Sequence, residues 1–157
     1  MNVWVGKPTA LSHRDINAVA ELIKSGGAVP ANLETLKTRL IRSRALAIYR
    51  AERRIVAACS LKLPDEEYRK TVFEKAGVPL GRFQNAPELG YVAVDEEMRG
   101  KKIACELVLA LLRDVTDACY ATTDSVPMKR ILARTGFFEE GKSWTGKRGA
   151  LSLWLKA

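Results

Sequence analysis

A short basic segment between two apolar runs carries the residue types best suited to holding an anionic ligand. The segment is Arg99-Gly100-Lys101-Lys102, which follows "LGYVAV" and comes shortly before "CELVLALL". The first run is typical of a strand, and the second is typical of a helix that begins near Ile103. The first turn of such a helix has backbone N–H groups without intrahelical partners, and the helix dipole adds positive charge there.

Small residues in the same segment favour close approach of a ligand to the backbone. Gly100 lets the chain turn, and Ala104 has a side chain too short to cover the start of the helix. Arg99, Lys101 and Lys102 add fixed positive charge. These features predict a binding site for a diphosphate. Neither a Walker-type loop nor a GxGxxG fingerprint is present, and a solvated basic turn is the alternative interpretation.

Length and composition restrict the class of protein. The chain has 157 residues, of which 47% are apolar and 28% charged, which is typical of a single globular domain spanning residues 1–157. No apolar run approaches the roughly 20 residues that cross a bilayer. The segment "MNVWVGKPTA" lacks the regions of a signal peptide, so we expect a cytoplasmic protein without membrane contact.

The three cysteines give no sign of a metal site or a disulfide. Cys59, Cys105 and Cys119 lie in apolar runs without CxxC spacing. We therefore expect three buried core cysteines and no metal.

Hydrophobic periodicity and turn residues predict twelve elements in the order β-α-α-β-β-α-β-α-β-α-β-β. Ser12 caps the first helix, which buries Ile16, Val19, Ala20 and Ile23 and stops at Gly26-Gly27. The second helix follows Pro30 and places Leu33, Leu36, Leu40 and Ile41 on one face. The later elements are a hairpin over 45–63 with its turn at Glu52-Arg53, helices at 65–77, 103–116 and 125–137, and strands at 88–94, 118–122, 137–144 and 150–156.

This order predicts an α/β (α+β) fold with a mixed, mostly antiparallel central sheet and helices on both faces. Early antiparallel strands are followed by a β-α-β unit. The helix over 103–116 is apolar except along one narrow line at Glu106, Arg113 and Asp117. We expect it to be covered on most sides.

From "ELGYVAVDEEMRGKKIACELVLALL" onward the chain resembles the GNAT superfamily of acyl-coenzyme A-dependent N-acetyltransferases. That family places Arg or Gln, two residues, Gly, one residue, then Gly or Ala between a strand and a helix. Arg99 and Ala104 match this motif, whereas Lys102 replaces the first small residue. The later segment "ILARTGF" matches the family's helix followed by Gly-Phe. The specific similarity covers roughly residues 87–138.

The resemblance implies a splayed central strand pair and acetyl-CoA as cosubstrate. The predicted cofactor-binding residues are the free backbone of the strand before the motif and the motif itself: Val92, Ala93, Val94, Arg99, Gly100, Lys101, Lys102, Ile103 and Ala104. The strand would separate from its neighbour at a bulge, and a backbone N–H of this strand would polarise the acetyl carbonyl.

The resemblance also implies candidate catalytic residues. Glu88 matches the position of a general base, and a base is needed because a lysine-like amine has a pKa of about 10.4. Many relatives have a tyrosine as acid where this chain has Leu132. Ser125 and Tyr120, and also Tyr91, are the alternatives for the proton donor, together with solvent.

The sequence leaves the acceptor and other partners open. The resemblance implies an amine-bearing acceptor, either a small molecule or a protein, and the acidic residues Asp65-Glu66-Glu67 either attract it or stabilise a helix start. The net charge of +8 allows the alternative of a catalytically weak or inactive GNAT-fold binding module for nucleic acid or another anion. The segment "ALSLWLK" could pair across a homodimer.

Overall fold

A computed structural model of the chain describes residues 2–26 and 31–157. Gly27 and Pro30, which were expected to end the first helix and precede the second, lie outside the described residues. The chain divides into two compact units, Met1–Lys62 with Gly90–Asp114 and Leu63–Leu89 with Val115–Ala157. None of the described helices is long and apolar enough to span a membrane.

The predicted order of helices and strands is confirmed over the residues that the structure describes. The strands are β1 (Val3–Gly6), β2 (Ala45–Ala51), β3 (Arg54–Lys62), β4 (Glu88–Val94), β5 (Cys119–Thr123), β6 (Phe138–Thr145) and β7 (Ala150–Lys156). The helices are α1 (His13–Ser25), α2 (Leu33–Ile41), α3 (Glu66–Ala76), α4 (Ile103–Leu112) and α5 (Val126–Arg134).

The hydrogen-bonded strand order β1-β2-β3-β4-β5-β7-β6 defines a mixed sheet. Strands β1 and β2, β2 and β3, β5 and β7, and β6 and β7 pair antiparallel. Strands β4 and β5 pair parallel, with Glu88 opposite Tyr120 as their register pair. The predicted α/β class with a mostly antiparallel sheet is confirmed.

In the first unit, α1 and α2 cover one face of β2 and β3. The predicted stripe of α1 is buried, and the Ser12 hydroxyl caps the helix by accepting a hydrogen bond from the Asp15 N–H at 3.1 Å. Leu36 and Leu40 of α2 join the same core. Ile41, which the sequence places on the same face, lies in the last turn of α2 and is 43% exposed.

Helix α4 packs on the same strands from the other side. Leu46, Ile48 and Ala58 belong to the core beneath α1 and α2. Since neighbouring residues of a strand alternate between faces, Ala47 and Cys59, which are also buried, point to the opposite face. Helix α4 contacts both β2 and β3 there. Helices therefore cover both faces of the sheet in this unit, as predicted.

Helix α4 is shorter and less covered than the sequence indicated. It ends at Leu112 instead of residue 116, and Leu109 is more than half exposed. Cys59 and Cys119 are buried as predicted, but Cys105, on α4, is only partly buried. Burial raises the pKa of the Cys59 thiol, so this thiol stays protonated and unreactive near neutral pH.

The second unit has its own core between α3 and strands β5 and β7. The ring of Phe73 on α3 contacts Tyr120 edge-on at 5.3 Å between ring centroids, and it also contacts Phe83. Leu153 and Leu155 of β7 are buried in the same cluster.

A buried arginine fixes the chain that leads into β4. The guanidinium of Arg69 on α3 donates to the carbonyl oxygens of Ala86 at 3.0 Å, Gln84 at 2.7 Å and Pro64 at 3.2 Å. These bonds satisfy carbonyl groups that have no strand or helix partner. Arg69 therefore connects both ends of the segment 64–86 and holds it against α3.

We predict that Arg69→Ala lowers the free energy of unfolding by about 3 kcal/mol, because it leaves buried carbonyl groups unpaired and removes a packed side chain. A chain of this size should then melt roughly 6–12 °C lower. The matched control is Lys70→Ala, at the exposed neighbouring position. Equal melting temperatures for the two variants would contradict a structural role for Arg69.

Candidate functional site

Strand β4 is kinked in its middle. Tyr91 has a φ of 50°, in the left-handed region that residues other than glycine rarely adopt. Such a residue within a strand is typical of a bulge, which bends the strand and disrupts its ladder. The Lys62 ammonium lies 4.5 Å from the centroid of the Tyr91 ring and holds the ring in place. The strand that precedes the motif therefore has the irregularity implied by the resemblance.

Beyond the kink, the backbone of β4 presents alternate residues to its two sides. The Asp95 N–H donates to the Val56 carbonyl of β3 at 2.7 Å. Since backbone groups alternate along an extended chain, those of Ala93 also point towards β3, whereas those of Val92 and Val94 point away from it. The backbone groups directed away from β3 are thus those of Val92 and Val94, and the Val94 carbonyl is already occupied by Arg99 Nε. Val92, Ala93 and Val94 remain the predicted cofactor-binding residues of this strand.

The segment between β4 and α4 turns through two left-handed residues. Gly100 has a φ of 81°, and Lys102 has a φ of 62° with a ψ of 19°. Lys102 is the residue immediately before α4, and its side chain does not cap the helix. The departure from the family motif is therefore a lysine with the backbone conformation that glycine adopts most easily.

The start of α4 has unsatisfied donors. The first hydrogen bond of the helix runs from the Glu106 N–H to the Lys102 carbonyl at 3.2 Å. Within residues 2–26 and 31–157, the N–H groups of Ile103, Ala104 and Cys105 have no protein acceptor. Around Gly100 there is open space where a side chain would be. No side chain covers these donors by a hydrogen bond, so an anion can reach them.

Some charged side chains around this turn are held by hydrogen bonds within the protein, and others are exposed to solvent. Arg99 Nε donates to the Val94 carbonyl at 3.3 Å, which directs this arginine back along β4. Lys101 and Lys102 are exposed. The Asp95 carboxylate accepts from the Glu97 N–H and pairs with Arg54 at 2.8 Å.

These contacts lower the pKa of Asp95, mainly through the Glu97 N–H and further through Arg54 and Arg99. Because the folded protein favours the ionised form, this contribution to stability is present above the pKa of the unfolded chain. It is lost as the pH falls through the lowered value. Near neutral pH the carboxylate is therefore ionised and structurally engaged, and it stabilises the short turn that precedes the motif.

In the second unit, Glu88 is buried at the start of β4. Its side chain is 2% exposed, and its Oε2 accepts a hydrogen bond from the Tyr68 hydroxyl at 3.1 Å. Tyr68 lies on α3 and is 43% exposed. A tyrosine open to solvent thus contacts a carboxylate that is almost fully buried. Sequence reasoning missed Tyr68, because only the packing of α3 brings residues 68 and 88 together.

Tyr120 lies beside this carboxylate and is fully buried. Its pKa is raised, first by burial and then by the charges of Glu88 and Tyr68, while Arg69 acts in the opposite direction. Tyr120 is therefore protonated at neutral pH, as a proton donor must be. Its edge-on contact with Phe73 also makes it a core residue.

The other two positions named from the resemblance lie on α5. Ser125 is the N-cap of this helix, and its Oγ accepts from the Met128 N–H at 3.3 Å. The Ser125 hydroxyl hydrogen is still available for donation, since capping uses only the oxygen. Leu132 is fully buried, and its aliphatic side chain cannot donate a proton.

Among the described residues, no three His, Cys, Asp or Glu side chains are grouped so that they could hold a metal ion. The ionisable groups that the structure brings together are Glu88, Tyr68 and Tyr120 in one unit. The arginine, lysines and backbone donors around Gly100 lie in the other.

Comparison with solved structures shows the fold. A GNAT-family acetyltransferase from Streptococcus agalactiae superimposes with a TM-score of 0.74 at 14% identity, covering 98% of this chain and 94% of that chain. An acyl-CoA N-acyltransferase from Pseudomonas aeruginosa gives 0.72 at 12% identity over 99% of both chains. A chain of the NatC complex bound to Gag peptide and CoA gives 0.67 at 14% identity, covering 99% of this chain and 98% of that one.

No protein-family model matches the sequence, and no curated protein matches it. The chain has the fold of the GNAT acetyltransferases, and the predicted resemblance to this superfamily is confirmed at the level of the fold.

We predict that Lys102→Gly raises stability by about 1 kcal/mol, because a left-handed residue with a side chain costs about that much. The melting temperature should increase by roughly 2–4 °C. Lys101→Gly is the matched control, since Lys101 is not among the residues with positive φ and glycine there only adds flexibility. The interpretation fails if both glycine variants melt at the same temperature.

Proposed function

We propose that this protein is an N-acetyltransferase that moves an acetyl group from acetyl-CoA directly to a primary amine. The observation that carries the proposal is the uncapped start of α4, placed after a kinked strand in a GNAT fold. The structural relatives described above include an acyl-CoA N-acyltransferase and a complex that binds CoA and a peptide.

The first unit has the donors that the diphosphate of acetyl-CoA requires. We assign the diphosphate to the N–H groups from Ile103 to Cys105 and to the charges of Lys101 and Lys102. The absence of a side chain at Gly100 allows close approach. The outward-facing backbone of Val92 and the N–H of Val94 would hold the pantetheine arm, because an amide chain can pair with a strand in the way that another strand does.

In the second unit, Glu88 is the proposed general base. It accepts the proton of the acceptor amine, directly or through a water molecule, so that the nitrogen attacks the thioester carbonyl carbon as a neutral nucleophile. A C–N bond forms and the C–S bond breaks. The donor bond from Tyr68 orients the carboxylate, so Tyr68 is a positioning residue.

The proton for the departing sulfur has two sources in this proposal. Ser125 retains a donor hydrogen while its oxygen caps α5, and solvent can protonate a thiolate without help. Tyr120 was the other candidate, but its complete burial against Phe73 favours a role in packing near Glu88. Leu132 occupies the position at which many relatives have a tyrosine as acid. The proposed reaction therefore uses a different proton donor.

Helix α3 is the proposed contact for the acceptor. Asp65, Glu66 and Glu67 are exposed at its start, and the Asp65 side chain does not cap the helix. These carboxylates are available to attract a cationic amine, one turn or less from Tyr68. The acceptor would then be a primary amine on a small molecule or a protein, and the structure favours neither.

Acetyl-CoA should raise the melting temperature of the protein, since a ligand of the folded state adds RT ln(1+[L]/Kd) to its stability. Lys101→Glu with Lys102→Glu should reduce this shift strongly, because the reversed charges repel the diphosphate. Arg39→Glu with Arg42→Glu makes the same charge change on the exposed surface of α2 and should leave the shift intact. A melting temperature unaffected by millimolar acetyl-CoA would refute the proposed cosubstrate.

Glu88→Gln should lower kcat with an amine acceptor by about 10²–10³-fold at neutral pH. The loss should diminish as the pH approaches about 10, where the amine is neutral without a base. Tyr68→Phe keeps the carboxylate and should lower kcat by less, with KM for acetyl-CoA unchanged. The readout is thiol release, and Glu139→Gln, at an exposed position of β6 without a proposed role, is the matched control. A pH-independent effect of Glu88→Gln would assign it a structural role only.

A further inference from the structure

An arginine-lined cleft lies in the first unit and shares no lining residue with the site assigned to acetyl-CoA. It is a cleft of about 700 Å³ at the turn between β2 and β3 and the first turns of α1. Its charged lining residues are four basic and two acidic side chains, namely Arg14, Arg50, Arg53, Arg54, Asp15 and Glu52. These six side chains have a formal sum of +2.

Two of the four arginines are held in place by carboxylates. Arg50 pairs with Asp15 through both of its terminal nitrogens, at 2.8 and 3.4 Å. Arg54 pairs with Asp95 at 2.8 Å and with Glu97 at 3.7 Å, and both carboxylates lie outside the lining. These pairs fix guanidinium groups in the wall of the cleft while leaving some of their donors open, since each guanidinium has five N–H groups.

The other two arginines have no such partner. In the part of the chain that the structure describes, neither Arg14 nor Arg53 forms an ion pair or a side-chain hydrogen bond. Arg14 lies in the first turn of α1, and Arg53 lies in the tight turn after Glu52, whose φ is 59°. Two unpaired cations from separate elements thus line one cleft.

The remaining lining is apolar. Ile55 is 8% exposed and Ala18 is partly buried, so the cleft has a hydrophobic patch beside the arginines. Its volume falls in the range of sites for small molecules, about 300–1,000 Å³. This lining of arginines and apolar side chains fits a small molecule with one strongly charged end and one apolar part better than it fits a polymer that is charged along its whole length.

We propose that this cleft binds a small molecule that carries a phosphate group. A phosphate monoester has a charge near −2 at neutral pH, which balances the two arginines without an ion-pair partner, Arg14 and Arg53, whereas a single carboxylate balances one of them. The planar fork of arginine matches the oxygens of phosphate with two parallel hydrogen bonds. Arg14 and Arg53 contact the phosphate, and Ala18 and Ile55 contact the rest of the ligand.

This site is separate from the proposed site for acetyl-CoA. None of the residues from Val92 to Val94 or from Arg99 to Ala104 lines the cleft. The proposal therefore does not rest on acetyl transfer, and it holds whether or not the protein is an acetyltransferase.

The test compares three proteins with phenyl phosphate as the probe: the wild type, Arg14→Ala with Arg53→Ala, and Arg39→Ala with Arg42→Ala. The last pair removes the same charge from the exposed surface of α2. Binding is measured by calorimetry and by thermal melting, with sodium chloride at equal ionic strength as the reference. Benzoate, with one negative charge on the same ring, is the second probe.

We expect phenyl phosphate to bind the wild type and the α2 control equally, and to bind the cleft variant at least about tenfold more weakly, because each lost charge-assisted bond contributes that much. Benzoate should bind more weakly than phenyl phosphate. Acetyl-CoA affinity should be the same in all three proteins. Equal binding of phenyl phosphate by all three, no binding by the wild type, or a parallel loss of acetyl-CoA binding in the cleft variant would overturn the proposal.

Discussion

The start of α4 depends on a backbone that turns through two left-handed residues. A helix usually begins after an extended residue whose side chain caps the first turn. Here Lys102 precedes the helix with a φ of 62° and supplies no cap, and Gly100 has a φ of 81°. The N–H groups of the first turn are consequently left to a ligand. The proposed acetyl transfer depends on these donors, because they are the groups to which the diphosphate is assigned.

Strand β4 connects this helix start to the proposed base. Glu88 and Leu89 belong to one unit and Gly90 to Val94 belong to the other, so the strand continues from one into the next. The kink at Tyr91 follows directly after that boundary. Different contacts hold the two ends, with Arg69 fixing the chain before Glu88 and Arg54 pairing with Asp95 after Val94. Both ends are thus positioned by side chains outside the strand.

The sequence predicts local features here better than it predicts contacts. Ser12 and the stripe of α1 could be assigned because capping and helical periodicity act over a few residues. Periodicity also places Ile41 on the face of Leu36 and Leu40, but it does not show how far the core extends, and Ile41 is 43% exposed. The resemblance identified Lys102 as the residue that departs from the family motif. Its left-handed conformation became visible only in the structure.

The hydrogen bond between Tyr68 and Glu88 could not be predicted from the sequence pattern, because it depends on tertiary packing. Glu88 was a candidate from its place at the start of a strand, but Tyr68 lies twenty residues earlier, on a helix whose polar face gives no sign of a partner. The hydrogen bond between them depends on how α3 packs against β5 and β7 through Phe73 and Tyr120. A buried carboxylate is costly without donors, and the fold supplies one from a side chain that also reaches solvent. The hydrogen bond from Tyr68 gives the Glu88 carboxylate a protein donor. An acceptor bound at α3, as proposed, would act on the proposed base Glu88 through the exposed Tyr68.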